Sequence, residues 1–347
     1  MTDRCCAKRR HFLNTAVVAA VSASSSLAVG AQESLKASEH KPDANALADF
    51  SNTARGIERL HSVVVSSGTD IVLSESFRGP GPDRAVNVKS VSKSLVSTLV
   101  GAAVQRGIIE SVEQTLGELV PEMIPQASDP QAAQLTVEDL LTMRAGLERV
   151  SGPAYGRWVN SNHWIDYALT RPFIAKPGTR MLYSTGNTHV LGAVLTSLTN
   201  NSLHSLANSW LGKPLGFTFA PWTRDPQGFY LGGNEMSVSP ENLAKVGALY
   251  LADGAYEGQH ILSTEWVDQA FTARTRSPFS GDGYGYGWFK RDLGGVTSAY
   301  ARGYGGQLMH VIPERKLVVV ITSSTTQRAR SNGYMKVLHD LVEQHLV

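Results

Sequence analysis

Apolar and polar positions change period along the chain. His61-Ser-Val-Val-Val-Ser-Ser-Gly-Thr-Asp-Ile-Val-Leu-Ser-Glu-Ser-Phe77 sets two β-branched runs around a Ser-Gly-Thr-Asp turn, which predicts a hairpin. From Val91 the period lengthens: Leu95, Val96, Leu99, Val100, Ala103 and Val104 recur at i, i+1, i+4, i+5, a helix buried along one stripe, with Gly107 placed to end it. Residues 111–232 mix short helical patterns, such as 137–144 and 187–198, with loops bearing Pro and Trp. Ser239 and Pro240 supply a cap and a first-turn proline for a helix over 241–251. Strand patterns return at 284–290, 307–312 and 316–322, the last two joined by Pro313-Glu-Arg at hairpin spacing, and an amphipathic helix over 334–346 closes the chain.

Strands near both ends with helices between them predict an α/β (α+β) fold. A largely antiparallel sheet, assembled from both chain ends and flanked by helices, carries an inserted, mostly helical lobe. The expected boundaries are 51–107 with 233–347 for the discontinuous α/β domain, 108–232 for the helical lobe and 32–50 for a polar linker. A cleft between the lobes is the expected site. No repeat of 20 to 50 residues interrupts this reading.

With 347 residues, 42% of them hydrophobic, the chain can bury a substantial core. Its formal charge of +2 argues against a nucleic-acid partner. The first 31 residues more than account for it, since Arg4, Lys8, Arg9 and Arg10 face only Asp3 and the rest of the chain is at −1. There Lys8-Arg9-Arg10-His11-Phe12-Leu13 precedes an uncharged run of Ala, Val, Ser and Leu, then the small residues Gly30-Ala31. Residues 1–31 therefore read as a cleavable export signal, with an uncleaved membrane anchor as the rival. The paired arginines followed by x-Phe-Leu resemble the twin-arginine signal, whose machinery exports folded proteins across the bacterial inner membrane. The expectation is a periplasmic or secreted protein with no stable membrane span after cleavage. Cys5 and Cys6 are the only cysteines, so neither a disulfide framework nor a thiolate metal site is available to the folded part.

Ser90-Val91-Ser92-Lys93 is the first candidate for chemistry. Residues i and i+3 share a helix face, so the Lys93 amine can reach the Ser90 hydroxyl, beside the free N–H groups of a helix N-terminus. A serine hydroxyl is a poor nucleophile until a base takes its proton. A lysine serves as that base when burial or a neighbouring cation, for which Lys89 is the candidate, lowers its pKa. The spacing alone is weak: it recurs at Ser38-Glu-His-Lys41 in the linker, and Ser90 could simply cap its helix.

The wider context gives the motif weight. Leu135-Thr-Val-Glu-Asp-Leu-Leu-Thr-Met-Arg-Ala-Gly-Leu147, Lys176-Pro-Gly-Thr-Arg-Met-Leu-Tyr-Ser184 and Tyr304-Gly-Gly-Gln307 resemble, in order and spacing, the boxes of the class C β-lactamase superfamily of serine hydrolases. The resemblance runs from about Ala54 to the C-terminus and takes in Asp225-Pro-Gln-Gly228, Leu231-Gly-Gly233 and Tyr284-Gly-Tyr-Gly-Trp288. It is nearest to the 6-aminohexanoate-dimer hydrolase-like and esterase-like branch. The resemblance implies a β-lactamase/DD-peptidase-like fold, with Ser90 as acylated nucleophile, Lys93 as its partner and Tyr183 as a proton shuttle to the leaving group. It further implies an oxyanion hole from the N–H groups of Ser90 and Gln307, with Gly305 and Gly306 letting the strand approach the bound carbonyl.

Two departures stand out. The second box usually ends in Asn two residues after its tyrosine, where this chain has Thr185, with Asn187 two further on. The third box has Tyr304 where β-lactamases and DD-peptidases have Lys or His. An anionic substrate thereby loses a charge-assisted contact of about 1.5 to 3 kcal/mol, unless Arg302 replaces it. The implied function is cleavage of an amide or ester in a small-molecule or short-peptide substrate, with neither metal nor cofactor. The rival is a non-catalytic protein holding cell-wall peptides or another ligand on the same fold; within the enzyme class, a true β-lactamase or DD-peptidase is the alternative. A G-x-S-x-G elbow around Ser184 lacks its first glycine, the ten histidines form no metal motif, and Trp158, Trp164, Trp222 and Trp288 read mainly as packing residues.

Overall fold

The computed structural model describes residues 42–327 and 333–347. The export signal and most of the linker fall outside these residues. The chain starts with helix α1 (Ala44–Arg55), capped by Asp43, whose carboxylate accepts from the Ala46 N–H at 2.7 Å. This corrects the expectation of linker as far as residue 50. Four of its six apolar residues are alanines, and Phe50 and Ala54 are buried where it docks on the C-terminal helix.

The hairpin follows as β1 (Leu60–Ser67) and β2 (Asp70–Ser76). The buried helix is α2 (Ser92–Gln105). Between α2 and residue 233 the chain adds no strand to the main sheet. It holds short helices, among them α3 (Val137–Leu141), and the longer α4 (Thr185–Thr199). After α5 (Pro240–Leu251), capped by Ser239, come β3 (Thr275–Arg276), β4 (Gly283–Tyr284), β5 (Phe289–Leu293), β6 (Val296–Gly303), β7 (Gln307–Ile312) and β8 (Leu317–Ser323). Helix α6 (Tyr334–Leu346) ends the chain. The eight strands form one antiparallel sheet in the order β2-β1-β8-β7-β6-β5-β4-β3, so the N-terminal hairpin makes one edge of it and pairs through β1 with the last strand.

Both faces of the sheet are covered, which explains the continuous apolar runs. Val63, Val65, Leu317, Val319 and Ile321 face α1 and α6, while Val64, Val318 and Val320 face α2 and α5. Two differences from the expected strands have clear causes. The run at 284–290 is split into β4 and β5 by a turn in which Gly287 takes φ 79°. The strand β6 has no counterpart in the expected elements because Ser298, Ala299 and Ala301 make a weakly apolar run. No helix among the described residues is long and apolar enough to cross a membrane.

Candidate active site

Ser90 lies in a 3-10 turn, Lys89–Val91, that runs directly into α2. Its approach is fixed from a distant part of the chain. Val86 and Asn87 pair with Val238 and Ser237, and the Val88 N–H donates to the Met236 carbonyl at 3.0 Å. Lys89 has a left-handed backbone, φ 52°, a conformation that costs a non-glycine residue about 1–3 kcal/mol. Local hydrogen bonds sustain it: Asn87 Oδ1 accepts from the Lys89 N–H at 2.9 Å, and the Ser92 hydroxyl donates to the Lys89 carbonyl at 2.6 Å.

One turn on, Lys93 is buried at 1% exposure. Its Nζ donates to Ser90 Oγ at 3.2 Å, Thr185 Oγ1 at 3.1 Å and the Gly233 carbonyl at 2.6 Å. An ammonium has three protons to donate, and three acceptors are present. None of these three acceptors is charged, and burial brings the amine down from 10.5 to about 7. Lys89, the candidate cation for that role, is instead turned to Glu235 at 3.2 Å, and burial alone accounts for the low value.

Tyr183 reaches the same place from the segment before α4. The Leu182 N–H donates to the Met143 carbonyl at 2.7 Å, and the Val150 N–H to Ser184 Oγ at 3.1 Å, lacing this segment to the one after α3. The Tyr183 ring lies 5.2 Å from Lys93 Nζ and is stacked on Phe289 at 6.3 Å. The structure thus brings Ser90, Lys93 and Tyr183 together. Thr185, two residues after the tyrosine, supplies a hydroxyl to Lys93 and is itself 2.9 Å from Ser151 Oγ. Asn187 is buried elsewhere on α4, and its Nδ2 has no partner among the described residues.

The third box is arranged differently from the expectation. Gly305 and Gly306 have φ 86° and 107°, and a β-carbon on them would lie 2.6 Å from the Ser324 carbonyl oxygen and from the Tyr334 ring respectively. Their lack of side chains makes room for the end of β8 and for α6. The close approach to the serine turn is at Gly303, two positions before the pair. A β-carbon there would lie 2.4 Å from the Val88 carbonyl oxygen and 2.9 Å from Lys89 Cβ. Gln307 is buried and its amide holds the Ser323 backbone, donating to the carbonyl at 2.7 Å and accepting from the N–H at 3.3 Å. Tyr304 is 47% exposed. Counted from Gly303, the preceding positions are Arg302 and Ala301, so no lysine or histidine stands there either. The Arg302 guanidinium lies over the Phe289 ring at 4.2 Å.

Sequence reasoning gave no role to two further groups. One is the Gly233 carbonyl, the shortest contact of Lys93. The other is the buried pair His189–Asp225, 3.1 Å apart, enclosed by Trp158 and Trp164. A cavity of about 680 Å³ lined by His204, Asn208, Lys213 and Phe217 includes none of the groups around Lys93. Chemistry rather than volume marks this site. Among the described residues no three His, Cys, Asp or Glu side chains gather as a metal-binding group.

An antiparallel sheet flanked by helices, with Ser-x-x-Lys at the head of a buried helix, defines the β-lactamase/penicillin-binding-protein class of fold. The Beta-lactamase family model matches residues 61–344, and the chain belongs to that family. A 226-residue stretch is 27% identical to the 6-aminohexanoate-dimer hydrolase of Paenarthrobacter ureafaciens, covering 61% of this chain and only 57% of that relative's length. Among solved structures, a putative β-lactamase from Bacteroides dorei superposes with a TM-score of 0.72 at 17% identity, over 88% of this chain and 99% of the other. EstCE1, a hydrolase with promiscuous acyltransferase activity, superposes with a TM-score of 0.70 at 17% identity, over 86% of this chain and 99% of the other. At these identities the superpositions speak for the fold.

Proposed function

We propose that the protein is an exported serine hydrolase that cleaves an amide or ester through an acyl-enzyme on Ser90. The observation that carries this reading is the Lys93 amine, buried at 3.2 Å from Ser90 Oγ and lowered by that burial to about 7. Neutral Lys93 takes the hydroxyl proton as Oγ bonds to the substrate carbonyl carbon. The oxyanion is held by backbone N–H groups at the turn, that of Ser90 and that of Tyr304, the first residue past the approach at Gly303. The bond to the leaving amine or alcohol then breaks, and the leaving group takes a proton handed on through Tyr183 from Lys93. Water attacks the Ser90 ester, returns a proton to the site and releases the acid.

Family membership and the 6-aminohexanoate-dimer hydrolase relative support a linear amide, and the fold shared with EstCE1 is compatible with an ester. The absence of a lysine or histidine at 301 and 302, where Arg302 turns its guanidinium onto the Phe289 ring, disfavours β-lactams and D-alanyl peptides. Export by the twin-arginine machinery to the periplasm or beyond remains part of the proposal, resting on Arg9-Arg10 and the run that follows. The test is a fluorophosphonate probe followed by intact-mass and peptide analysis. A single adduct on Ser90 is expected. No adduct, or the same adduct on Ser90→Ala, overturns the proposal and leaves a ligand-binding protein on this fold.

A further inference from the structure

We propose that His189 and Asp225 form a buried positioning pair for Lys93, acting through the Gly232–Gly233 backbone; the inference rests on the proposed role of Lys93. The pair makes no contact with Ser90 or Lys93 itself. Asp225 is first anchored by its own turn, Oδ1 accepting from the N–H groups of Gln227 at 2.9 Å and Phe229 at 2.8 Å. Its Oδ2 lies 3.1 Å from His189 Nε2, and both side chains are fully buried. The Gly232 N–H donates to His189 Nδ1 at 3.3 Å. A ring nitrogen that accepts has no proton, so the proton is on Nε2 and is donated to Asp225. The carboxylate therefore selects the tautomer that receives the Gly232 N–H. The next carbonyl, that of Gly233, accepts from Lys93 Nζ at 2.6 Å.

Other contacts show that this backbone is held to close tolerance. The Thr188 hydroxyl contacts the Gly232 carbonyl at 3.1 Å, and Trp222 Nε1 donates to the Leu231 carbonyl at 2.9 Å. A β-carbon at Gly232 would lie 2.2 Å from the Thr188 carbonyl oxygen, and one at Gly233 would lie 2.1 Å from the Thr188 hydroxyl. His189 sits on α4, the helix that also presents Thr185 to Lys93. One helix thus fixes two of the three acceptors of the amine, one through a side chain and one through the histidine. Burial between Trp158 and Trp164 already obliges the Nε2–H to find an acceptor, which Asp225 supplies; what goes beyond packing is the second ring nitrogen, which accepts from the Gly232 N–H. Near Lys93 the other ionisable groups are Tyr183, with its ring 5.2 Å away, and the Lys89–Glu235 pair on the adjoining segments.

Two variants separate positioning from packing. His189→Gln keeps a donor for Asp225 and loses the Nδ1 acceptor; His189→Asn keeps an acceptor near Nδ1 and loses the reach to Asp225. The readout is the rate of Ser90 labelling by a fluorophosphonate across pH 5 to 10, with thermal midpoints as control. In His189→Gln the Gly233 carbonyl is released and its support for the ammonium is lost. Its limb is expected to fall by at least half a pH unit and its plateau by about tenfold, with His189→Asn closer to wild type in both. A limb that stays put or rises in His189→Gln, at a thermal midpoint that shows a folded protein, overturns the positioning role. Should wild type itself carry no adduct on Ser90, the hydrolase proposal is what fails, and the two failures are told apart by that one control.

Discussion

The low pKa of Lys93 makes a quantitative prediction. At the ordinary 10.5, an amine is neutral in roughly one molecule in 3000 at pH 7; at about 7 it is neutral in roughly half. If neutral Lys93 takes the Ser90 proton, burial raises the competent fraction at pH 7 by about a thousandfold, within the 10²–10⁴ range of general-base catalysis. The perturbation is Lys93→Met, which keeps much of the stem and removes the base, beside Lys93→Arg, which keeps a charge that does not titrate. The assay is the second-order rate of Ser90 labelling against pH. In wild type it should rise with unit slope to a limb near pH 7 and then level, while both variants fall by about 10³ at pH 8 and lose the limb. A wild-type rate still rising at pH 10, or a limb near 7 that survives in Lys93→Met, would refute the role. Stability supplies an independent check on the sign. The folded state holds the amine below its unfolded value, so the unfolded chain binds the extra proton, and stability falls as pH drops from about 10.5 through about 7. The full span corresponds to roughly 4–5 kcal/mol at about 1.4 kcal/mol per pH unit. The thermal midpoint of wild type should therefore gain more between pH 7 and 10 than that of Lys93→Met.

Thr185→Val removes an acceptor from a buried donor, at a cost of about 1–3 kcal/mol; labelling should slow about tenfold at pH 7, and Thr185→Ser should restore it. Gly303→Ala puts a methyl 2.4 Å from the Val88 carbonyl oxygen, so β6 or the serine turn must shift. A lower thermal midpoint, by the equivalent of about 1–3 kcal/mol, and much slower labelling are expected, and unchanged values in both would count against Gly303 as the point of approach. In a panel of short esters, linear amides and nitrocefin, the ester or amide should be turned over faster. Rapid nitrocefin hydrolysis would show that the lysine or histidine absent at 301 and 302 is not needed.

What was legible in the sequence is what is encoded over short distances. Hairpin β1–β2, strands β7 and β8 and helices α2, α5 and α6 each announce themselves by period and turn chemistry, because their burial repeats every two or every three to four residues. Helix α1 does not: its buried face is Phe50, Ser51 and Ala54, and its place is set by docking on α6, nearly 300 residues away in sequence. Strand β6 was hidden for a related reason. It packs against the serine turn at its end, where small residues are needed, so the feature that matters for the site weakens the strand signal. The Gly294-Gly295 pair between β5 and β6 was the available clue, being a common hairpin dipeptide. The same division runs through the site. Ser90 and Lys93 are one helical turn apart, so their spacing is local and readable. What turns Lys93 from a solvated cation into a base is the enclosure and the acceptors supplied by residues 185 and 233, and a backbone carbonyl has no side-chain identity for a sequence to display. The double glycine at 232–233 is its only trace, since a β-carbon at either would collide with Thr188 and displace that carbonyl. The Ser-x-x-Lys spacing is therefore necessary for this chemistry without being sufficient. The copy at Ser38-Glu-His-Lys41 shows the same spacing directly before Pro42, with no helical apolar period in the sequence around it.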